Sequence, residues 1–362
     1  MHRISSRRAA ALLSLPLAAF AVQAQTAPAN CLGLASDAQR LACYDKLHGR
    51  VSIPVSTPVA PGVPAELATP GPMTQPLATT VKAPTSPEAA PVTTTLLAKR
   101  WDLDGSVGEL YAPRTYRPMY ILPLTWTSQT NQRPQSPALG HSAPGDLNVR
   151  PMEAKFQISL KSKLAVDVFG SDVSLWGGYT QSSRWQIYSQ QISRPFRETN
   201  YEPELMAVLP LHLEVGGWGL RMAGLSLNHQ SNGRSLPLSR SWNRLMGALV
   251  LERGEWIAEV RPWTRIGESD HEDDNPGIED YIGRGELRLS RYWGSHALTV
   301  QLRHSLRAGD KSHGSGQVEW AFPISGSLHG YVQMFSGFGE SLIDYNLRQN
   351  KLGLGVTLAD WR

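Results

Sequence analysis

The sequence predicts an all-β protein: a twelve-stranded antiparallel transmembrane β-barrel, preceded by a small Cys-containing helical segment and a Pro-rich linker. Three observations carry this. From about residue 100, apolar and polar residues alternate with period two, the pattern of strands rather than helices. The polar face of that alternation carries large charged residues, among them Glu259, Arg261, Glu286, Arg288 and Arg303, on strands whose other face is Leu, Val, Trp and Ala. A membrane barrel accommodates both, with charges paired and hydrated in its interior and apolar side chains against lipid. Third, only 18% of residues are charged, mean hydropathy is −0.28, and no apolar run reaches the roughly 18 residues of a spanning helix, so spanning strands remain the route across a bilayer. The net charge of +4 is dispersed, with no basic block interleaved with aromatics, which argues against a nucleic-acid partner.

Residues 1–24 read as an export signal: basic His2, Arg3, Arg7 and Arg8, an apolar run over 9–22, and the small-residue site Val22-Gln23-Ala24 before Gln25. Cys31 follows Ala27-Pro28-Ala29-Asn30 and lacks the upstream Leu of a lipidation site, so no lipid anchor is expected. Residues 25–50 form a small segment in the compartment beyond the signal, where Cys31 and Cys43 are expected to be oxidised to a disulfide. Closing so short a loop contributes about 3 kcal/mol in the chain-entropy model. A metal site would need two further ligands, and none stands at suitable spacing. Ser36-Asp37 can cap a short helix over 38–47, with Gly49 as its stop.

Residues 51–98 hold ten prolines among Ala, Thr, Val and Ser, and only Glu66, Lys82 and Glu88 are charged. Such a stretch cannot bury a core and is expected to be an extended, semi-rigid tether. The barrel then occupies 99–362, with strands near 113–126, 152–168, 173–188, 200–214, 217–231, 241–252, 255–266, 280–293, 297–306, 315–324, 327–336 and 350–361. An even count suits an up-and-down barrel with both ends on one side. Trp256, Trp263, Tyr292, Trp293, Trp320 and Trp361 lie near strand ends, where interfacial girdles form.

One polar cluster breaks the apolar stripe. Leu225, Leu227, His229 and Ser231 share a face, because side chains two apart point the same way. On the next strand Asn243 shares a face with Leu245, Gly247, Leu249 and Leu251. Strands joined by the 232–242 hairpin run about 4.8 Å apart, so the three polar side chains can meet near one membrane edge. A neutral imidazole taking a proton from a Ser hydroxyl, its other nitrogen donating to an Asn carbonyl, is a nucleophile, base and orienter arrangement. The hairpin adds a candidate oxyanion amide at Gly233, and carbonyl and hydroxyl oxygens suited to Ca²⁺. Spacing alone leaves a second reading open, in which His229, Ser231 and Asn243 are interfacial polar residues solvated by headgroups. The acidic stretch 268–274 reads as a solvated surface loop.

Five stretches resemble the bacterial outer membrane phospholipase A family: Asn228-His229-Gln230-Ser231-Asn232-Gly233-Arg234, Ser239-Arg240-Ser241-Trp242-Asn243-Arg244, Pro195-Phe196-Arg197-Glu198-Thr199-Asn200-Tyr201-Glu202-Pro203, Asp273-Asp274-Asn275-Pro276, and the run from Gly337 through Glu340 to Asn346. The resemblance covers about 112–361 and leaves 25–98 unaddressed. It implies a calcium-dependent enzyme of the outer membrane, active as a homodimer, that hydrolyses sn-1 and sn-2 acyl esters of phospholipids. Ser231 would be its nucleophile, His229 its base, Asn243 its orienting residue and Gly233 an oxyanion donor. The resemblance places calcium on the Arg234 carbonyl and the Ser239 hydroxyl, with the Ser193 carbonyl coming from the partner subunit. A further calcium position in the monomer uses acidic residues; Asp274 matches one, and Leu236 stands where the other belongs. The rival readings are an inert outer-membrane channel or structural barrel, and a barrel that only anchors a periplasmic binding segment.

Overall fold

A computed structural model describes residues 36, 39, 43, 95–103, 109–269 and 271–358. The export signal, Cys31, most of the Pro-rich tether and Trp361 lie outside the described residues. In the N-terminal unit, Gln39 and Cys43 are helical, the Gln39 amide donates to Ser36 Oγ (3.4 Å), and Cys43 is disulfide-bonded.

In the second unit a helix, α1 (Leu96–Trp101), precedes the strands β1 (Arg114–Thr115), β2 (Tyr120–Thr127), β3 (Met152–Ala165), β4 (Ser174–Trp185), β5 (Phe196–Val215), β6 (Trp218–Ser231) and β7 (Ser241–Arg253). The chain continues through β8 (Trp256–Ile266), a short helix α2 (Glu279–Ile282), β9 (Gly285–Trp293), β10 (His296–His304), β11 (Gly314–Ser325), β12 (Leu328–Gly337) and β13 (Gln349–Leu358). From β2 onward each strand pairs antiparallel with its sequence neighbours, and β13 pairs with β2, so twelve strands close into a barrel; β1 adds two residues against β3. Closure satisfies every edge, as a lipid-exposed sheet requires.

Burial follows the two-residue period. Leu225 and Leu227 on β6 are 55% and 52% exposed, while Asn228 between Leu227 and His229 is 3% exposed. Leu205, Leu249, Leu287, Leu302 and Leu354 share the apolar outer wall, and Lys155, Arg184, Arg261, Glu286 and Lys351 are buried inside. Among the described residues no helix is long and apolar enough to cross a membrane. One end has tight turns, with glycines such as Gly254 (φ +57°), Gly294 (+51°) and Gly326 (+54°) supplying the left-handed backbone that such turns need. The other end carries the longer connections 128–151, 186–195, 232–240, 267–284, 305–313 and 338–348.

The lumen is filled rather than open. At the tight-turn end Thr95 Oγ1 accepts from the Ala98 amide and caps α1, whose Leu97 and Trp101 pack among Tyr116, Trp176, Met206 and Met222. Trp101 sits edge-on to Trp176 at 5.3 Å, with Lys161 Nζ 3.0 Å from the Trp101 ring centre. This helix begins within the stretch expected to be an extended tether, because Leu97, Ala98 and Trp101 have an apolar surface to pack against. At the loop end Glu340 pairs with Lys155, Arg184 and Lys351, while Arg197 bridges Glu153 and Asp344. The polar cavity left between is about 100 Å³, room for a handful of waters.

Three sequence expectations need correction. The strand expected over 113–126 is interrupted, with residues 116–119 separating β1 from β2, and Pro118 cannot donate to a ladder. The strand expected over 280–293 begins only at Gly285, because 279–282 coil into α2, closed by Gly283 at φ +114°. Trp263 and Tyr292 are not girdle residues: the Trp263 indole is buried and donates to the Gly283 carbonyl (2.7 Å), and the Tyr292 hydroxyl accepts from Arg100 within the lumen. Trp256 and Trp320 do face outward.

Candidate active site

The loop-end segments of β6 and β7 carry the polar cluster. Leu227 pairs with Leu245, His229 with Asn243 and Ser231 with Ser241, so the three polar residues extend the leucine stripe of the outer wall toward the loops. His229 Nδ1 lies 2.8 Å from Asn243 Oδ1. Asn243 Nδ2 donates to Glu268 Oε1 at 2.8 Å. The second contact decides the first, since a carboxylate only accepts and the amide must turn its NH₂ toward Glu268 and its oxygen toward the ring. His229 Nδ1 therefore carries the proton, and Nε2 is left with a lone pair.

Ser231 sits two residues beyond His229 on the same face, with Cα atoms roughly 7 Å apart. Among the described residues its hydroxyl makes no side-chain hydrogen bond, so the expected hydroxyl–imidazole contact is not formed in this structure. Such contacts in ligand-free sites are often long and tighten when substrate binds.

The hairpin after Ser231 is held by Asn232. This buried side chain donates to the Leu238 carbonyl (2.8 Å) and accepts from the amides of Arg240 (3.0 Å) and Arg234 (3.3 Å). Gly233 adopts φ +61°, and a Cβ there would meet the Tyr201 ring at 3.0 Å. Its amide is bonded to nothing among the described residues.

Around the hairpin the oxygens converge. Ser239 Oγ donates to Asp274 Oδ2 (2.7 Å), Ser241 Oγ reaches the same oxygen (3.2 Å), and His141 Nε2 lies 2.9 Å from Asp274 Oδ1. The Arg234 and Ser193 carbonyls accept no hydrogen bond from the described residues, and Ser193 ends a short turn in the 186–195 connection at φ +59°. Leu236 is exposed at 62%, and its side chain offers no oxygen.

The structure places His229, Asn243, Ser231 and Gly233 on one hairpin, and it brings together Ser239 and Asp274, which the sequence reading assigned to separate calcium positions. That reading misses Glu268 and His141. A signal for Glu268 was available: Asn243 pairs with Ile266 on β8, and Glu268 lies two residues further along, on the same face. The 268–274 loop is therefore more than a solvated surface. His141 sits in a long connection whose path no periodicity announces.

Fold and site define a membrane β-barrel with a polar cluster of His229, Asn243 and Ser231 on its outer wall and, among the described residues, a lumen occupied by α1 and by paired charged side chains. A family model described as phospholipase A1 matches residues 97–358. A phospholipase A1 of Klebsiella pneumoniae is 40% identical over 245 residues, which is 68% of this chain and 82% of that one. The outer membrane phospholipase A of Escherichia coli superposes with a TM-score of 0.62 at 37% identity, over 71% of this chain and 95% of that one. An outer membrane phospholipase of Salmonella typhi, solved as a dimer with bound calcium, gives 0.61 at 38% identity, over 69% and 93%. The chain belongs to the phospholipase A1 family and is an outer-membrane phospholipase.

Proposed function

We propose that the enzyme is a calcium-dependent phospholipase, active as a homodimer, that cleaves the sn-1 and sn-2 acyl esters of phospholipids through Ser231, His229 and Asn243. The observation that carries this is the hydrogen bond from His229 Nδ1 to Asn243 Oδ1 on the outer wall, which leaves Nε2 free to act as a base. An ester substrate arrives laterally within the bilayer, with its acyl chain along the exposed leucines. His229 Nε2 takes the Ser231 proton as Oγ bonds to the carbonyl carbon. The oxyanion forms beside the Gly233 amide, and collapse of the tetrahedral intermediate expels the lysophospholipid alcohol, protonated by His229. Water, activated by the same imidazole, then releases the fatty acid and restores Ser231.

The Arg234 carbonyl and the Ser239 hydroxyl are hard oxygen donors of the kind Ca²⁺ takes, and the Ser193 carbonyl of the partner subunit would complete the set. When bound there, the ion supplies positive charge beside the developing oxyanion. A second position within one protomer would use Asp274, but His141 and Ser239 already engage that carboxylate and the Leu236 side chain adds no ligand. Joining two outer walls would both complete the calcium site and line an acyl-chain groove, so dispersed monomers stay idle. The barrel's first and last strands meet at the tight-turn end, where Tyr120 pairs with Thr357, which favours placing residues 25–98 in the periplasm. An Escherichia coli outer membrane phospholipase A solved as an active-site variant, with asparagine replaced by alanine, agrees with a working role for an amide.

Fatty-acid release from phospholipid in detergent micelles, with and without a calcium chelator, tests the reading. Hydrolysis should stop on chelation and be absent in Ser231→Ala with the barrel still folded. Wild-type turnover by that variant would remove Ser231 from its role, and turnover indifferent to chelation would remove calcium.

A further inference from the structure

The geometry points to Glu268 as a positioning residue that acts through Asn243; this rests on the triad reading above. An amide orienter has two weaknesses. It is nearly symmetric in shape, so it can present either oxygen or NH₂ to the imidazole, and it brings no negative charge to the imidazolium that forms during acylation.

Glu268 answers both. Its Oε1 accepts from Asn243 Nδ2 at 2.8 Å, and its Oε2 is held by Arg265 Nη2 at 3.0 Å. Arg265 also donates to Asp273 Oδ1 at 2.6 Å, and its other guanidinium nitrogen lies 3.6 Å from Glu279. Asp273 Oδ1 accepts the Asn275 amide, and Asn275 Oδ1 accepts the Ser241 amide on β7. The 268–279 connection is thereby tied to the strand that carries Asn243. The Glu268 side chain is only 15% exposed, which limits solvent screening of its charge.

A flipped Asn243 would aim its carbonyl oxygen at the Glu268 carboxylate and its NH₂ at His229. The imidazole would then carry its proton on Nε2 and could not accept one from Ser231. Glu268 selects the productive rotamer, and with it the productive tautomer. With the rotamer fixed, the carboxylate also polarises the Asn243 amide and increases the electron density on Oδ1. The bond from Nδ1 strengthens when the ring becomes an imidazolium, as networked hydrogen bonds do at low dielectric. Charge is thus relayed to the base without a carboxylate at the orienting position itself.

The experiment compares kcat and KM of full-length wild type, Glu268→Ala, Glu268→Gln, Asn243→Ala and the Asn243→Ala/Glu268→Ala pair. The substrate is a thioester phospholipid in micelles at fixed excess calcium, with folding checked by the heat-dependent gel mobility of each barrel. Glu268→Ala should lower kcat about 10- to 100-fold with KM within twofold, the range expected for one charge-assisted hydrogen bond. Glu268→Gln keeps an acceptor for Asn243 Nδ2 and should recover part of that loss. In the Asn243→Ala background, Glu268→Ala should change kcat by less than twofold. The assignment is overturned if Glu268→Ala keeps kcat within twofold of wild type, if Gln recovers nothing, or if the two losses multiply. Failure of the triad reading appears separately, as hydrolysis that persists in Ser231→Ala.

Discussion

Glu340 is the anion on which the loop-end lumen depends, and removing its charge should cost the barrel several kcal/mol. Its Oε1 lies 2.9 Å from Lys155 Nζ and 3.0 Å from Arg184 Nη2, and its Oε2 lies 2.9 Å from Arg184 Nε and 2.8 Å from Lys351 Nζ, with the side chain 1% exposed. In Glu340→Ala, Lys351 keeps Glu153 at 3.3 Å, but Lys155 retains only the Gln333 carbonyl oxygen, and Arg184 only neutral acceptors such as Ser182 and Asn200. Two buried cations are therefore left without a counter-ion, and breaking a buried pair from one side costs about 3–5 kcal/mol. Urea unfolding in lipid vesicles, followed by tryptophan emission and by folded-band mobility, should show that loss for Glu340→Ala and most of it for Glu340→Gln.

The same group predicts a pH signature. Burial alone would raise the carboxyl pKa, but Arg184, Lys155 and Lys351 outweigh it and hold the group well below the usual carboxylate range. A depressed folded-state pKa means the contribution is complete above the unfolded value of about 4.5 and fades as pH falls below it. Wild type should lose stability through that acid window with a steeper slope than either variant. A loss under 1 kcal/mol, with an unchanged acid slope, would mean that the lumen is wet enough to screen these ions and that Glu340 does not hold it together.

Other expectations concern the site and the wall. Asn243→Ala should reduce kcat roughly 10- to 150-fold at near-constant KM, the worth of one hydrogen bond to an imidazolium, read from initial rates of fatty-acid release. Gly233→Ala forces a side chain into φ +61° and against Tyr201; about 1–2 kcal/mol of strain and a displaced amide should lower kcat while the barrel still folds. Leu249→Arg puts a charge on the outer wall, where Leu249 is 46% exposed, and should cost about 2–4 kcal/mol on folding into bilayers if that position lies near the midplane.

Much of the barrel was readable because period two is a strong signal wherever one face is charged. The face of His229, Ser231 and Asn243 followed from the leucines beside them, and in β6 and β7 the observed ends fall within a residue of those expected. Prolines did not stop the reading: the strand expected over 200–214 runs unbroken as β5 from Phe196 to Val215, with Pro203 in register opposite Tyr179 and a bulge at Pro210. Trp263 was misplaced although Arg261 and Arg265, two residues to either side, already marked its face as lumenal. Parity outranks residue type at strand ends. Contacts made across connections stayed hidden: His141 reaches Asp274 over 133 positions, and α1 enters the barrel through packing that no local pattern encodes.

The most direct test of the account is covalent trapping of the nucleophile. The detergent-solubilised barrel, loaded with calcium, is treated with an acyl-like sulfonyl fluoride, and the modified peptide is located by mass spectrometry. One adduct on Ser231 is predicted, formed at least tenfold more slowly in His229→Ala. Stoichiometric labelling of another residue, or of Ser231 at the same rate without the imidazole, would contradict it.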